Sequence, residues 1–335
     1  MSEVFQLSGI LKIVFPVERG NIEDFNAYEK LLHTVIYSNL KIDPSDYGLL
    51  LIVDPIVPIK MYYKLFELCF EIFNFPRVII LNSFHILQLY LGKKMTGIYG
   101  NIGDRISYFQ AYSEGTPQSN LISDHFGLSD VINYFKRLLR KNGKGEQSRF
   151  LKLPFFESIA KNHLFCSLNP KELLENMTRE LFLTKSVKTP DGDNLLLQEE
   201  LYLAPELLFD FKHMAIDEDD HFNSLQSMIA KILEDLDDKS VYLDNIVIFG
   251  GGASIKNFPY RLEIELDRIL PDYTLHQINI RIPPRPVNYI HKIICTQFNE
   301  LFNSDIIKNR LITKKLYSDG ATQSDAFLSN IKINY

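Results

Sequence analysis

Two short apolar runs constrain this chain more than anything else in it. Residues 49–53 read Leu-Leu-Leu-Ile-Val and residues 78–81 read Val-Ile-Ile-Leu, with no polar residue in either. A strand with one face in water alternates apolar and polar, so these two read as strands buried on both faces. Around them, apolar residues recur at helical spacing. Pro58 opens a helix carrying Tyr62, Leu65, Phe66, Cys69, Phe70 and Phe73. Asn21 is expected to cap an earlier helix with Phe25, Tyr28, Leu31, Leu32, Val35 and Ile36 on one stripe, and Ser83 to cap a short one ending at Gly92. Buried strand and amphipathic helix in alternation imply an α/β sheet with helices covering its faces.

Further along, residues 96–99 lead into a glycine-bearing turn at 100–104, followed by a hairpin over 106–112 that turns near Glu114-Gly115. The middle of the chain is more helical, with patterns over 128–139, 157–163 and 170–181. Pro190-Asp191-Gly192-Asp193 is a turn signal between two extended runs. The last third returns to alternation. A helix over 222–236, a strand over 245–249, Gly250-Gly251-Gly252, a helix over 258–270, a strand over 277–282 and a helix over 288–302 are expected in that order.

Composition excludes several classes of function. At 335 residues the chain suits two domains or one large α/β unit. Its net charge is -6. The densest basic stretch, Lys136-Arg137-Leu138-Leu139-Arg140-Lys141, sits at a helix C-terminus, where the helix dipole accounts for cations. A nucleic-acid footprint is not indicated. Three widely spaced cysteines, Cys69, Cys166 and Cys295, form neither a disulfide framework nor a zinc pattern. No segment reads as a signal peptide or a membrane span, so a cytosolic or nuclear protein is expected. The acidic runs near residues 217–220 and 234–238 read as solvated helix ends and not as a calcium loop.

Two turns invite a phosphate reading. A glycine turn after a buried strand presents backbone N–H groups to an anion, and a helix opening beyond it adds its dipole. Gly103-Asp104 and Gly250-Gly251-Gly252 both fit. Glycine turns also serve chain reversal alone, and the pattern by itself leaves both readings open.

The ordered neighbours of these turns carry a resemblance. Phe15-Pro16-Val17-Glu18-Arg19-Gly20, Phe70-Glu71-Ile72-Phe73-Asn74-Phe75-Pro76, Tyr112-Ser113-Glu114-Gly115, Leu203-Ala204-Pro205-Glu206-Leu207-Leu208-Phe209, Ile248-Phe249-Gly250-Gly251-Gly252-Ala253-Ser254 and Thr313-Lys314-Lys315-Leu316-Tyr317-Ser318-Asp319-Gly320 follow one another as in the actin family. The chain resembles a divergent actin-related protein from about Gly9 to Gly320. The resemblance implies an actin-like, ribonuclease H-like two-lobed α/β fold. Residues 1–95 would form a partial first subdomain, 96–245 a large inner domain with a helical insertion, 246–287 the rest of the third subdomain, and 288–335 helices returning to the first. The family's opening strands, first phosphate loop and most of its small second subdomain have no counterpart, either by native truncation or because the encoded start lies upstream. A sheet lacking those strands would expose an apolar edge.

The resemblance also places the family's site residues. Candidates for nucleotide contact are Gly103, Asp104, Lys161, Gly250, Gly251, Gly252, Ala253, Ser254 and Ile255. Against them, Asn101 stands where the family has a metal-ordering aspartate, Phe84 where it has a glutamine that positions water, and Tyr108 where it has a histidine. Arg105 and Lys256 replace a glycine and a tyrosine, Asn162 an acidic residue. Val287 replaces a lysine and Ile293-Ile294 a Gly-Gly pair. Phosphoryl transfer depends on positioning and charge neutralisation, so no ATP hydrolysis, no metal, and either no nucleotide or residual ATP or ADP are expected. The resemblance then implies a structural subunit that binds actin or actin-related proteins within a complex. Divergent members of the family serve in dynactin, in filament-nucleating complexes and in chromatin-remodelling complexes. A cytoplasmic place is expected, a nuclear one being the alternative; a nucleotide-dependent ATPase or switch is the competing function.

Overall fold

The computed structural model describes residues 14–149, 151–169, 184–210, 223–270 and 278–319. The chain divides into two units: Met1–Met95, Ser113–Pro117 and Ile290–Tyr335 make the first, and Thr96–Tyr112 with Gln118–Tyr289 the second.

In the first unit, β1 (Gly48–Val53) and β2 (Arg77–Asn82) lie parallel, with Gly48 opposite Arg77 and Val53 opposite Asn82. The short strand Ile312–Thr313 pairs antiparallel with β2 on its other edge. β2 is therefore central, and after Arg77 every residue in it is buried, whereas β1 is half-buried and pairs on one side only among the described residues. Helix α1 spans Phe25–His33, α2 spans Ile59–Glu67 and α3 spans Ser83–Leu91. All six apolar positions expected after Pro58 are buried. The stripe on α1 is different. Of its expected positions only Ile36, in the π-helical continuation Thr34–Leu40, is buried, while Leu31 and Val35 are exposed.

Two caps differ from expectation, each by local geometry. Asp24 caps α1, its carboxylate accepting from Ala27 N–H at 2.9 Å, because Asn21 is held in a two-residue strand against Val17–Glu18. Asn82 caps α3, not Ser83. Its side-chain oxygen accepts from His85 N–H (2.9 Å) and His85 Nδ1 accepts from Asn82 N–H (3.2 Å), a reciprocal box in which imidazole takes the usual acid's place.

The second unit is built on a mixed sheet. Its strands are β3 (Gly97–Ile102), β4 (Ser107–Ser113), β5 (Ile122–Asp124), β6 (Ile246–Phe249) and β7 (Ile280–Arg281). β6 runs parallel to β7 and to β3, β3 is antiparallel to β4, and β5 joins β4. The turn expected at 100–104 begins later. Gly100 and Asn101 stay in the ladder because Asn101 pairs with Tyr108 on one side and Phe249 on the other, and the reversal falls at 103–106. Helices α4 (Leu128–Lys141), α5 (Leu153–Asn162), α6 (Leu225–Glu234) and α7 (Phe258–Ile269) complete this unit's frame. Val131, Phe135 and Leu138 of α4 join Phe156, Ile229, Ile248 and Leu262 in one apolar core.

The turn signal at 190–193 closes the hairpin Lys185–Lys188 with Asn194–Leu197. Of the strand expected over 277–282, only Ile280–Arg281 pairs, and residue 277 lies outside the described residues. The helix expected over 170–181 and the acidic run at 217–220 also lie outside them. Glu234, Asp235, Asp237 and Asp238 are exposed at the end of α6, and no described group of His, Cys, Asp and Glu could hold a metal ion. No helix among the described residues is long and apolar enough to cross a membrane.

Candidate functional site

β3 and β6 are parallel neighbours with Asn101 opposite Phe249, so both strands end at the same edge of the sheet. The chain leaves β3 through Gly103-Asp104 and leaves β6 through Gly250-Gly251-Gly252. The sheet therefore brings these two turns together. Gly250 adopts φ 95° and donates its N–H to Pro286 O at 3.0 Å. A β-carbon there would overlap Asn101 Oδ1 and Ile102 O, and one at Gly252 would overlap Ile102 Cγ2. Both glycines are thus required by the close approach of β3 to the β6 turn. Beyond them Ser254 donates its hydroxyl to Gly251 O at 2.6 Å, Ala253 is buried, and Ile255 joins the core.

The N-terminus of α4 meets the other turn. Leu128 N–H donates to Gly103 O (3.0 Å) and Ser129 N–H to Asp104 O (2.7 Å). Ser129 Oγ donates to the Asp104 carboxylate at 2.5 Å, and Asp130 accepts from Gly127 N–H at 2.9 Å. Gly103 N–H closes its own turn on Ile106 O at 2.9 Å. Several N–H groups that could face an anion are therefore bonded within the protein. Arg105 Nε lies 3.7 Å from Asp104 Oδ2, and its side chain is 38% exposed.

Lys161 belongs to another element. It is exposed on the last turn of α5. The chain just beyond it does reach the β6 turn, since Cys166 N–H donates to Lys256 O at 2.8 Å and Phe165 bridges to Lys256. Among the residues at the replaced positions, Tyr108 is buried in β4, Asn101 is half-buried in β3, and Phe84 is buried in α3 of the first unit. Val287 is exposed and Ile293 is buried.

A family model described as Actin matches residues 2–290. The chain belongs to the actin family. Centractin of Schizosaccharomyces pombe is similar to it, 28% identical over 275 residues that cover 80% of this chain and 70% of centractin. The fold is accordingly an actin-like α/β fold, and the chain is an actin-related protein.

The actin-family segment at 203–209 has a physical role that spacing alone does not reveal. Glu206 is buried and binds Arg261 of α7 through both carboxylate oxygens, at 2.6 and 2.8 Å. Arg261 also donates to Glu265 (2.8 Å) and to Ser167 O (2.7 Å), and its guanidinium lies 4.9 Å from the Phe209 ring centre. Burial opposes the charge on Arg261, yet Glu206 and Glu265 outweigh it and its pKa is raised. The pair spans 55 residues of sequence, so only the motif hinted at it. A second buried acid, Glu200, is held by Lys144 (2.6 Å), Asn142 (2.9 Å) and the N–H of Gln198 (2.8 Å). In the first unit, Arg310 meets His85 Nε2 at 2.8 Å.

Proposed function

We propose that this actin-related protein is a non-catalytic structural subunit, binding actin or actin-related proteins in a cytoplasmic multi-subunit assembly as a filament-end cap or scaffold. The observation that carries this reading is the chemistry of the 103–106 turn. A hydrated magnesium ion needs carboxylate oxygens. Here the ladder position before the turn is the neutral Asn101, the Asp104 carboxylate is engaged by Ser129, and the Arg105 guanidinium stands beside that carboxylate. These residues do not fit a metal ion. Gly250 and Gly252 are accounted for by packing against β3, whether or not a phosphate approaches. Similarity to centractin supports actin-like partners.

Calorimetry with ATP, with and without magnesium, tests the loss of the nucleotide site. Undetectable binding by folded protein is expected, whereas tight magnesium-dependent binding with turnover would restore the ATPase or switch reading. Assembly is tested separately, by co-sedimentation with centractin and with actin filaments and by the filaments' elongation rate at each end. Association at one end only is expected of a cap; failure to associate with any actin-like chain would remove the reading.

A further inference from the structure

The turn that ends α4 is Asn142-Gly143, the single Asn-Gly pair of the chain. Gly143 is exposed with φ 75°, and Asn142 before it is half-buried. The Asn142 side-chain nitrogen donates to Glu199 Oε1 at 2.8 Å and to Glu200 Oε1 at 2.9 Å. It thus clasps the end of α4 to a segment 57 residues further along the chain. We propose that Asn142 is a site of spontaneous deamidation, a one-way conversion to aspartate or isoaspartate that proceeds when this clasp opens and then weakens it.

The reaction needs no enzyme, and its co-reactant is water. The Gly143 backbone nitrogen attacks Asn142 Cγ and forms an N–Cγ bond, closing a succinimide. The Cγ–Nδ2 bond breaks, and the proton lost from Gly143 N–H leaves on the ammonia. Water then opens either imide C–N bond, giving aspartate, or isoaspartate with an extra carbon in the main chain. Glycine favours the attack because it has no side chain to shield its nitrogen or restrict its approach.

In the folded chain both reacting groups are occupied. Gly143 N–H donates to Arg140 O at 3.2 Å. The amide nitrogen that must leave is held by two carboxylates, whose charges also oppose an anion forming at the Gly143 nitrogen. Local opening of the turn removes all three restraints at once.

The product cannot restore what is lost. A carboxylate has no N–H to donate. At position 142 it would face Glu199 and Glu200, and like charges so placed repel. Burial opposes the charge on Glu200, yet the bonds from Lys144, Asn142 and the Gln198 N–H outweigh it and its pKa is lowered. Deamidation turns one of these supports into an opponent and leaves Lys144, 2.6 Å from Glu200, to serve three carboxylates.

Full-length protein is incubated in heavy-oxygen water, native and in urea, then digested and mapped by mass spectrometry. Label should enter at Asn142 at least about tenfold faster in urea than in native protein, the factor that one hydrogen bond to a charged group is worth. Glu199→Ala should speed the native reaction several-fold and leave the rate in urea unchanged. Gly143→Ala, whose β-carbon meets nothing within 4 Å, should slow the reaction in urea. Asn142→Asp should unfold at lower urea than Asn142→Ala, which loses the same bonds but adds no charge. No label at Asn142 in urea, or equal rates in native and unfolded protein, would overturn the proposal. So would an unchanged native rate in Glu199→Ala, an unchanged rate in urea for Gly143→Ala, or Asn142→Asp as stable as Asn142→Ala.

Discussion

Ile102 lies over Gly252 so closely that its Cγ2 occupies the place a β-carbon at 252 would take. Gly252→Ala should therefore cost about 1–3 kcal/mol, the usual range for overpacking. Gly250→Ala should cost more, because its overlap includes the carbonyl of Ile102 and its φ is 95°. Urea denaturation of both variants measures this. If Gly252→Ala unfolds at the wild-type midpoint, the two turns do not pack as described.

Removing Arg261 should be the most damaging single change in the second unit. Arg261→Ala removes both bonds that the buried Glu206 takes from it, while Glu265 keeps Arg268 at 2.8 Å, and breaking a buried pair from one side costs about 3–5 kcal/mol. Arg261→Lys keeps the charge but not the fork that serves both carboxylates, and should fall between the two. Equal stability of the Ala and Lys variants would mean that the fork geometry is immaterial.

His85 should make the protein acid-sensitive. Burial first, and then the Arg310 charge, lower its pKa from 6.5 to about 3. Its ring thus stays neutral in the folded protein while the unfolded chain takes up a proton near 6.5. Between these values the unfolded state binds more protons, so stability rises with pH by up to about 1.4 kcal/mol per unit. The contribution is whole above 6.5 and is lost as pH falls toward 3. Stability measured between pH 4 and 6 should show a shallower pH slope in His85→Gln, by about one proton. An unchanged slope would refute the assignment.

The three cysteines should separate by reactivity. Cys69 and Cys166 are buried, and Cys295 is exposed. Burial pushes the Cys69 thiol up to about 12, and burial with Glu206 beside it pushes Cys166 up as well. Since the thiolate is the reactive form, brief alkylation of native protein followed by mass spectrometry should modify Cys295 alone, and alkylation in urea all three. Native labelling of Cys166 would mean that the second unit opens readily.

Elements buried by their own composition were readable from sequence. Residues 78–81 and the stripe from Tyr62 to Phe73 behave as their apolarity demands. The pattern on α1 misled because helical spacing records one apolar face but not whether anything covers it, and Leu31 and Val35 remain exposed. The caps of α1 and α3 were missed by a few residues because Asn21 and Ser83 have the right chemistry but the neighbouring backbone is committed elsewhere. The glycine turns were visible, and the reason for their glycines was not. It lies in the parallel pairing of β3 with β6, which sets Ile102 against Gly252 of the turn beyond β6, far apart in the chain. Arg261 with Glu206, and Arg310 with His85, escaped for the same reason: contacts at long range leave no period.

The strand Ile312–Thr313 covers the edge of β2, and Lys314 N–H bonds Pro76 O beside it at 3.0 Å. On a ribosome, then, the unit begun first is finished last. The stretch that belongs to the second unit has all been made by Tyr289, while the first sheet still waits for Ile312–Thr313. Throughout that interval the backbone of Arg77 and Val78 has no partner strand on that side. A prematurely terminated product would carry the same open edge permanently, and such edges recruit other chains.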